Sequence, residues 1–302
     1  MTPGAGSGCD GTLTGKRRVG VSGSPTARRR RLAIELKKLR EESGLTCNDV
    51  GKQLDWSGSK VNRLETGLGR VQPSDIEALC RFYGTSSELR DVLKAFAKES
   101  KTKGWWHAHG AAVPAWFSVY VGLEQAASDL RSYQSEFVPG LLQTPEYATE
   151  LSRASADHSE EEIGSLVDVR MRRQQLLANA PSPDLWTVVH ESVLRHVVGS
   201  RTTMSAQIDH VLRTTALRNV TVQVLPFDAG AYPATGPFTI LGFPEQEDPD
   251  VVYREGLTDS VYLEAAPDVS LYTKAFDHLR ALALSPERSA SLMRAIQKEH
   301  DR

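Results

Sequence analysis

Between residues 28 and 100 the apolar positions recur at helical spacing in five short runs, each closed by turn-forming residues. Leu32, Leu36 and Leu39 define the first, which stops at Gly44, a residue suited to the left-handed position after a helix. The second opens on Thr46 as N-cap with Asp49 three residues on. Leu45 and Val50 stand where a hydrophobic staple needs them. The third lies in the stretch DWSGSKVNRLETG, with Ser57 as N-cap, Trp56 able to staple onto Val61, and Gly67 as the stop. On a wheel of about 100° per residue, Val61 and Leu64 share one side of this helix. Ser59, Asn62, Arg63 and Thr66 share the other, with Lys60 on the flank. Ser74-Asp75-Ile76-Glu77 reads as the capping box of the fourth run, which ends at Gly84. Leu89, Leu93 and Phe96 form one face of the fifth.

Beyond residue 103 the pattern changes. The stretch KGWWHAHGAAVPAWFSVY holds three of the five tryptophans and reads as a connector that docks on something, because a free linker would not carry so many aromatics. After it, helical spacing predicts segments near 121–133, 144–154, 160–179, 203–217, 268–283 and 285–299. Apolar, β-branched runs at LWTVVH, VTVQVLP, PFTILGF, VVYRE and SVYLE predict five strands. No internal repeat is visible. The fold class expected is therefore multi-domain, an all-α five-helix domain followed by a mixed α/β (α+β) domain. The boundaries are 1–27 for a Gly/Ser/Thr-rich disordered basic tail, 28–103 for the helical domain, 104–120 for the aromatic connector and 121–302 for the α/β domain.

Charge sharpens this division. The chain of 302 residues has a net charge of -2, yet residues 1–103 hold 20 Lys+Arg against 12 Asp+Glu and the remainder 16 against 26. A basic N-terminal third suits a polyanion, whereas the acidic remainder does not. No apolar run approaches the roughly 20 residues of a membrane helix, and nothing resembles a cleavable signal. Cys9, Cys47 and Cys80 form no CxxC pair, which suits a reducing cytoplasm and argues against a disulfide framework or zinc site.

The second and third helices are separated by only Asp55 and Trp56, which forces a sharp angle between them. That is the geometry of a helix-turn-helix, whose second helix enters the major groove. Arg63 can bond guanine O6 and N7 in a bidentate manner, and Asn62 can do so to adenine N6 and N7. Ser59 and Thr66 are short enough for base edges or phosphates, and Ser57 heads the same helix. Lys60, Arg70 and the arginines at 28–31 would neutralise phosphates, and Thr46 and Asn48 can offer donors to a phosphate at the start of the second helix. The stretch LKKLREESGLTCNDVGKQLDWSGSKVNRLETGLGRVQPSDIEALCRFYG resembles the DNA-binding domain of the Xre/Cro family of regulators. Two positions depart from that family's usual pattern: Cys47 stands where Gln is common and Gly58 where actinobacterial members often have Pro.

Further stretches, among them YVGLEQAASDLRSYQSEFVPGLLQTPEYA, VRMRRQQLL, NVTVQVLPFDAGAY and VVYREGLTDSVYLE, resemble the C-terminal domain of an actinobacterial (Streptomyces-type) group of antitoxin-like regulators. The resemblance implies a transcriptional regulator paired with a small partner protein encoded by a neighbouring gene. Enzymatic chemistry finds little support in the residues. His190-Glu191-Ser192 are adjacent, so they cannot all converge on a substrate, and Leu194 occupies the position where HExxH needs its second His. His107 and His109 alternate but lack a third metal ligand. Glu245-Gln246-Glu247 resembles the Glu-x-Glu of arginine-directed ADP-ribosyltransferases, which keeps an NAD-linked enzyme on a DNA-binding module as the alternative. A ligand-sensing regulator without a protein partner is another. Trp105, Trp106, Trp116, Trp186, Tyr232 and Tyr253 fit a core better than a ligand pocket. Without GxGxxG or a Walker loop, no cofactor is expected. The expected molecule is a cytoplasmic, nucleoid-associated homodimer on a pseudo-palindromic double-stranded operator, with no membrane contact.

Overall fold

The computed structural model of the chain describes residues 24–302 except 70, 103, 113, 155–157, 235, 246, 247 and 258. Cys9, the basic cluster at 16–18, Arg70, Gln246 and Glu247 therefore lie outside the described residues, as do the side chains of His109 and Trp116.

The N-terminal unit consists of α1 (Pro25–Glu42), α2 (Cys47–Gln53), α3 (Gly58–Glu65), α4 (Pro73–Tyr83) and α5 (Ser87–Glu99). Helix α1 starts within the stretch expected to be tail, because Ser24 caps it by accepting from the Ala27 N–H and Pro25 takes the first turn. Helix α2 has the capping box expected of Thr46 and Asp49. For α4 the expected box is displaced: Gln72 is the N-cap, Pro73 opens the helix and Asp75 sits at the third position. Proline preset in the helical φ range outcompetes Ser74 for the start. Leu32, Leu36, Val50, Val61, Leu64, Ile76, Leu79 and Leu93 are buried in one core. Each such side chain contributes about 1.5–3 kcal/mol relative to exposure. One ion pair sits beside them. The Arg40 Nε donates to both Glu65 carboxylate oxygens at 2.9 Å while its Nη1 donates to the Leu45 carbonyl at 2.8 Å.

A 3-10 turn (Trp105–Ala112) then leads into α6 (Ala115–Ala126), β1 (Asp129–Gln134), α7 (Pro145–Ala154), α8 (Glu160–Ala178) and β2 (Asp184–His190). The chain continues through α9 (Glu191–Arg195), α10 (Arg201–Thr214) and β3 (Val220–Leu225). It ends with β4 (Phe238–Gly242), β5 (Val251–Glu255), β6 (Ser260–Leu263), α11 (Ala266–Leu282) and α12 (Pro286–His300). The strands form one mixed sheet in the order β3-β2-β1-β4-β5-β6. Strands β1, β2 and β3 run parallel through helical crossovers, and β4, β5 and β6 follow as antiparallel neighbours. The five expected strands appear as β2 to β6.

Strand β1 is a correction, since helical spacing places Asp129 to Tyr133 in the segment 121–133. The helix ends at Ala126, and Asp129 to Gln134 pair with β2 on one side and β4 on the other. Central strands are normally marked by β-branched residues, and DLRSYQ has none. Its inward Ser132 instead donates to the Thr187 hydroxyl of β2 at 2.8 Å, so a polar residue occupies a buried sheet position at no loss of hydrogen bonding.

Helices α6, α7, α8, α10 and α12 cover one face of this sheet over a large core. Helix α11 covers the other over a smaller core of Tyr133, Val188, Phe238, Ile240, Val252, Phe276 and Leu279. Of the aromatics expected in a core, Trp106 and Tyr253 are buried, whereas Trp105, Trp186 and Tyr232 are half-buried. Arg173 of α8 and Glu124 of α6 make a buried bidentate pair at 2.7 and 2.8 Å, with the guanidinium over the Phe117 and Tyr120 rings.

Candidate nucleic-acid interface

The angle between α2 and α3 is set by a short turn with two demanding positions. Asp55 holds φ at 55°, in the left-handed region that Asp tolerates better than most residues. Gly51 is the second. A Cβ there would stand 2.8 Å from the Trp56 carbonyl oxygen and 3.0 Å from the Gly58 nitrogen, so only glycine lets α2 lie against the turn. Helix α3 then starts with the Ser57 hydroxyl accepting the Lys60 N–H at 3.1 Å. Val61 and Leu64 anchor it to the core, as their side of the wheel requires.

The opposite side divides into committed and uncommitted groups. Thr46, exposed at the head of α2, donates its hydroxyl to Asp49 at 2.6 Å and accepts the Asp49 N–H. Thr66 is exposed, but its hydroxyl donates to the Asn62 carbonyl at 2.9 Å. Lys60 is held by Asp75 at 2.7 Å and lies 3.6 Å over the Trp56 ring. Asn48, Ser59, Asn62 and Arg63 are all exposed, and among the described residues none of their side chains makes a hydrogen bond or ion pair. Asn48 lies directly against Gly58, where any Cβ would displace it. These four side chains form one polar surface spanning the start of α2 and the length of α3. Just past it, Leu68 is 83% exposed. Sequence reading passed over this residue, although its position between two glycines is a signal that it belongs to a turn and not to the core.

The arginines at 28–31 are placed otherwise than a phosphate-binding run requires. Arg28 pairs with Glu99 at 2.8 Å, and Arg29 donates to the Ser100 carbonyl at 3.0 Å. Arg30 reaches the sheet domain, pairing with Glu264 at 3.2 Å, donating to the Pro249 carbonyl at 2.6 Å and lying 4.8 Å over the Phe243 ring. Arg31 pairs with Asp248 at 2.7 Å and with Glu35 at 3.1 Å. With Arg28, Arg30 and Arg31 paired to carboxylates and Arg29 bonded to a backbone carbonyl, the run fastens α1 to α5 and to the acidic domain. Ser24 adds a hydrogen bond from its hydroxyl to the Gly122 carbonyl of α6.

Two electrostatic shifts follow from the geometry of this unit. Burial raises the Glu65 carboxyl above its ordinary range, with Arg40 opposing. Hydrogen bonds from Thr46 lower that of Asp49.

In the second domain His190, Glu191 and Ser192 do not converge on one point. His190 caps α9, its Nδ1 lying 2.7 Å from the Ser192 hydroxyl, which also donates to the Ser135 carbonyl. Glu191 turns away, accepting from Arg195 at 2.7 Å and from the Phe227 N–H at 3.1 Å, so the three side chains serve the local chain path. His107 is exposed. Among the described residues no helix is long and apolar enough to cross a membrane.

Two protein-family models match the chain. A helix-turn-helix domain family model matches residues 31–93. A second, described as a domain of unknown function (DUF5753), matches residues 117–295, from α6 into α12. Neither the curated proteins nor the solved structures gave a match. With more than half of its length in that second match and a helix-turn-helix ahead of it, the chain belongs to the DUF5753 family.

Proposed function

We propose that the chain is a sequence-specific transcriptional regulator of the Xre/Cro type, with α3 as the recognition helix in the major groove. The observation that carries this reading is the set of four exposed, uncommitted side chains Asn48, Ser59, Asn62 and Arg63 on the helix-turn-helix. Exposed donors on a short, well-anchored helix can turn to base edges without breaking an intramolecular bond, and their chemistry matches those edges. Arg63 reads guanine and Asn62 reads adenine. Thr46, Ser57 and Thr66 stand near the phosphates, Lys60 exchanges Asp75 for a phosphate on binding, and Arg70 adds a further cation for the same backbone. Leu68 supplies an apolar contact of the kind a thymine methyl accepts.

A single unit of this size reads only a few base pairs. The regulator therefore acts as a homodimer on a pseudo-palindromic operator, with half-sites about 34–36 Å apart and the dimer contact beyond residue 104. The acidic domain also receives a small partner protein encoded nearby, in the manner of an antitoxin, and that partner changes operator affinity. Sequencing the genomic DNA that the full chain retains tests the central claim. One recurring two-fold motif is expected. Retention of DNA without any shared sequence would overturn it. Co-expression with the neighbouring small gene, followed by capture on the full chain, tests the partner.

A further inference from the structure

Between α11 and the β4–β5 part of the sheet lies a cavity of about 440 Å³, on the face opposite the large core. Its floor and wall are apolar, formed by Phe238, Tyr272, Ala275 and Ala234. Its lining also carries Arg254 from β5 and Lys274 and His278 from α11, and among the described residues no acidic one lines it. Lys274 and His278 are four residues apart on one helix face, and Arg254 projects from the same sheet face as Val252. Among the described residues, none of these three side chains makes a hydrogen bond or an ion pair.

That arrangement stands against the acidic balance of the domain. Residues 104–302 hold 16 Lys+Arg against 26 Asp+Glu, and several of its cations are met by carboxylates, as Arg131 is by Asp129 and Asp250. Neighbouring acids are turned elsewhere: Asp277 pairs with Arg280, and Glu255 accepts from the Tyr253 hydroxyl. Uncompensated positive charge around an apolar hole favours a ligand with the complementary division, an apolar body and an anionic end. On a liquid-water volume of about 30 Å³ per molecule, the cavity has room for a ligand of roughly a dozen heavy atoms.

We propose that this cavity binds a small organic carboxylate with an aromatic or short acyl body, its body against Phe238 and Tyr272 and its carboxylate between Arg254 and Lys274. The inference concerns binding alone and stands whether or not the chain reads DNA. Phenylbutyrate is a suitable probe and phenylbutanol its neutral counterpart, both titrated into the full chain by calorimetry and ligand-observed NMR. One saturable site per chain is expected, with the carboxylate bound about tenfold or more tightly than the alcohol. Arg254→Glu combined with Lys274→Glu, both exposed, removes that preference while leaving the fold and any weak binding of the alcohol intact. Ala234→Trp fills the hole from the loop side and abolishes binding of both. Equal affinity for acid and alcohol, unchanged phenylbutyrate binding in the charge-reversed variant, or no saturable site up to about 10 mM would overturn the proposal.

Discussion

Arg63 and Arg40 show how one residue type takes two roles in the same unit: one guanidinium free, the other consumed. Arg63 is exposed with no internal partner, so Arg63→Ala leaves the fold intact. It should cost about 1–3 kcal/mol at the operator and relax preference at one base pair, measured by competition binding against single-base variants. Arg40 is bonded to both oxygens of Glu65, which is 8% exposed. Arg40→Ala strands that carboxylate and should destabilise the helical unit by about 3–5 kcal/mol, read by urea unfolding with Trp56 as reporter. The pH dependence has two opposite parts. The lowered pKa of Asp49 gives stability that is present at neutral pH and is lost as pH falls through the folded value. The raised pKa of Glu65 works the other way, favouring the fold below the unfolded value and losing that contribution as pH rises through the folded one. Asp49→Asn should therefore flatten the acid side of the urea-midpoint profile, and Glu65→Gln should remove the opposing trend.

At the scale of elements, the turn between α2 and α3 is the most constrained joint. Gly51→Ala would drive a methyl into the backbone at Trp56 and Gly58, and the α2–α3 pair would open. A cost of about 1–3 kcal/mol is expected. DNA affinity should fall by more than stability accounts for, which binding and urea titrations on the same preparation would separate. The helices of this unit were legible because their signals are local: caps at Thr46 and Ser57, staples at Leu45 and Trp56, and apolar residues at helical spacing. Strands β2 to β6 were legible for the same reason, each being an apolar run between turns. Strand β1 was not, because its place in the sheet is fixed by partners distant in sequence, β2 and β4, and by a Ser132–Thr187 bond that no single segment reveals. The fates of the site residues divide along the same line. Exposure of Asn62 and Arg63 follows from a helical wheel, whereas capture of Lys60 by Asp75, and of Arg30 and Arg31 by Glu264 and Asp248, depends on how separate elements meet.

At the scale of the whole molecule, those last pairs matter most, since they join the basic unit to the acidic one. Each partly exposed pair is worth about 0–1 kcal/mol, so the junction is held by the sum and is sensitive to salt. Arg30→Ala with Arg31→Ala should loosen it without unfolding either unit. Calorimetry should then resolve two unfolding transitions that approach one another in the wild type at low salt. The order of the chain adds a consequence for its synthesis. The helical unit leaves the ribosome before the sheet domain, and its core side chains all lie within residues 32–97, so that core can close while the rest is still being made. The sheet must wait, because β1 at residues 129–134 pairs with β4 at 238–242. The carboxylates that fasten α1 arrive later still, at Asp248 and Glu264. Until then a nascent chain carries a finished helix-turn-helix whose arginines at 30 and 31 have not met those acids, and it is at its most cationic while still tethered to its own messenger.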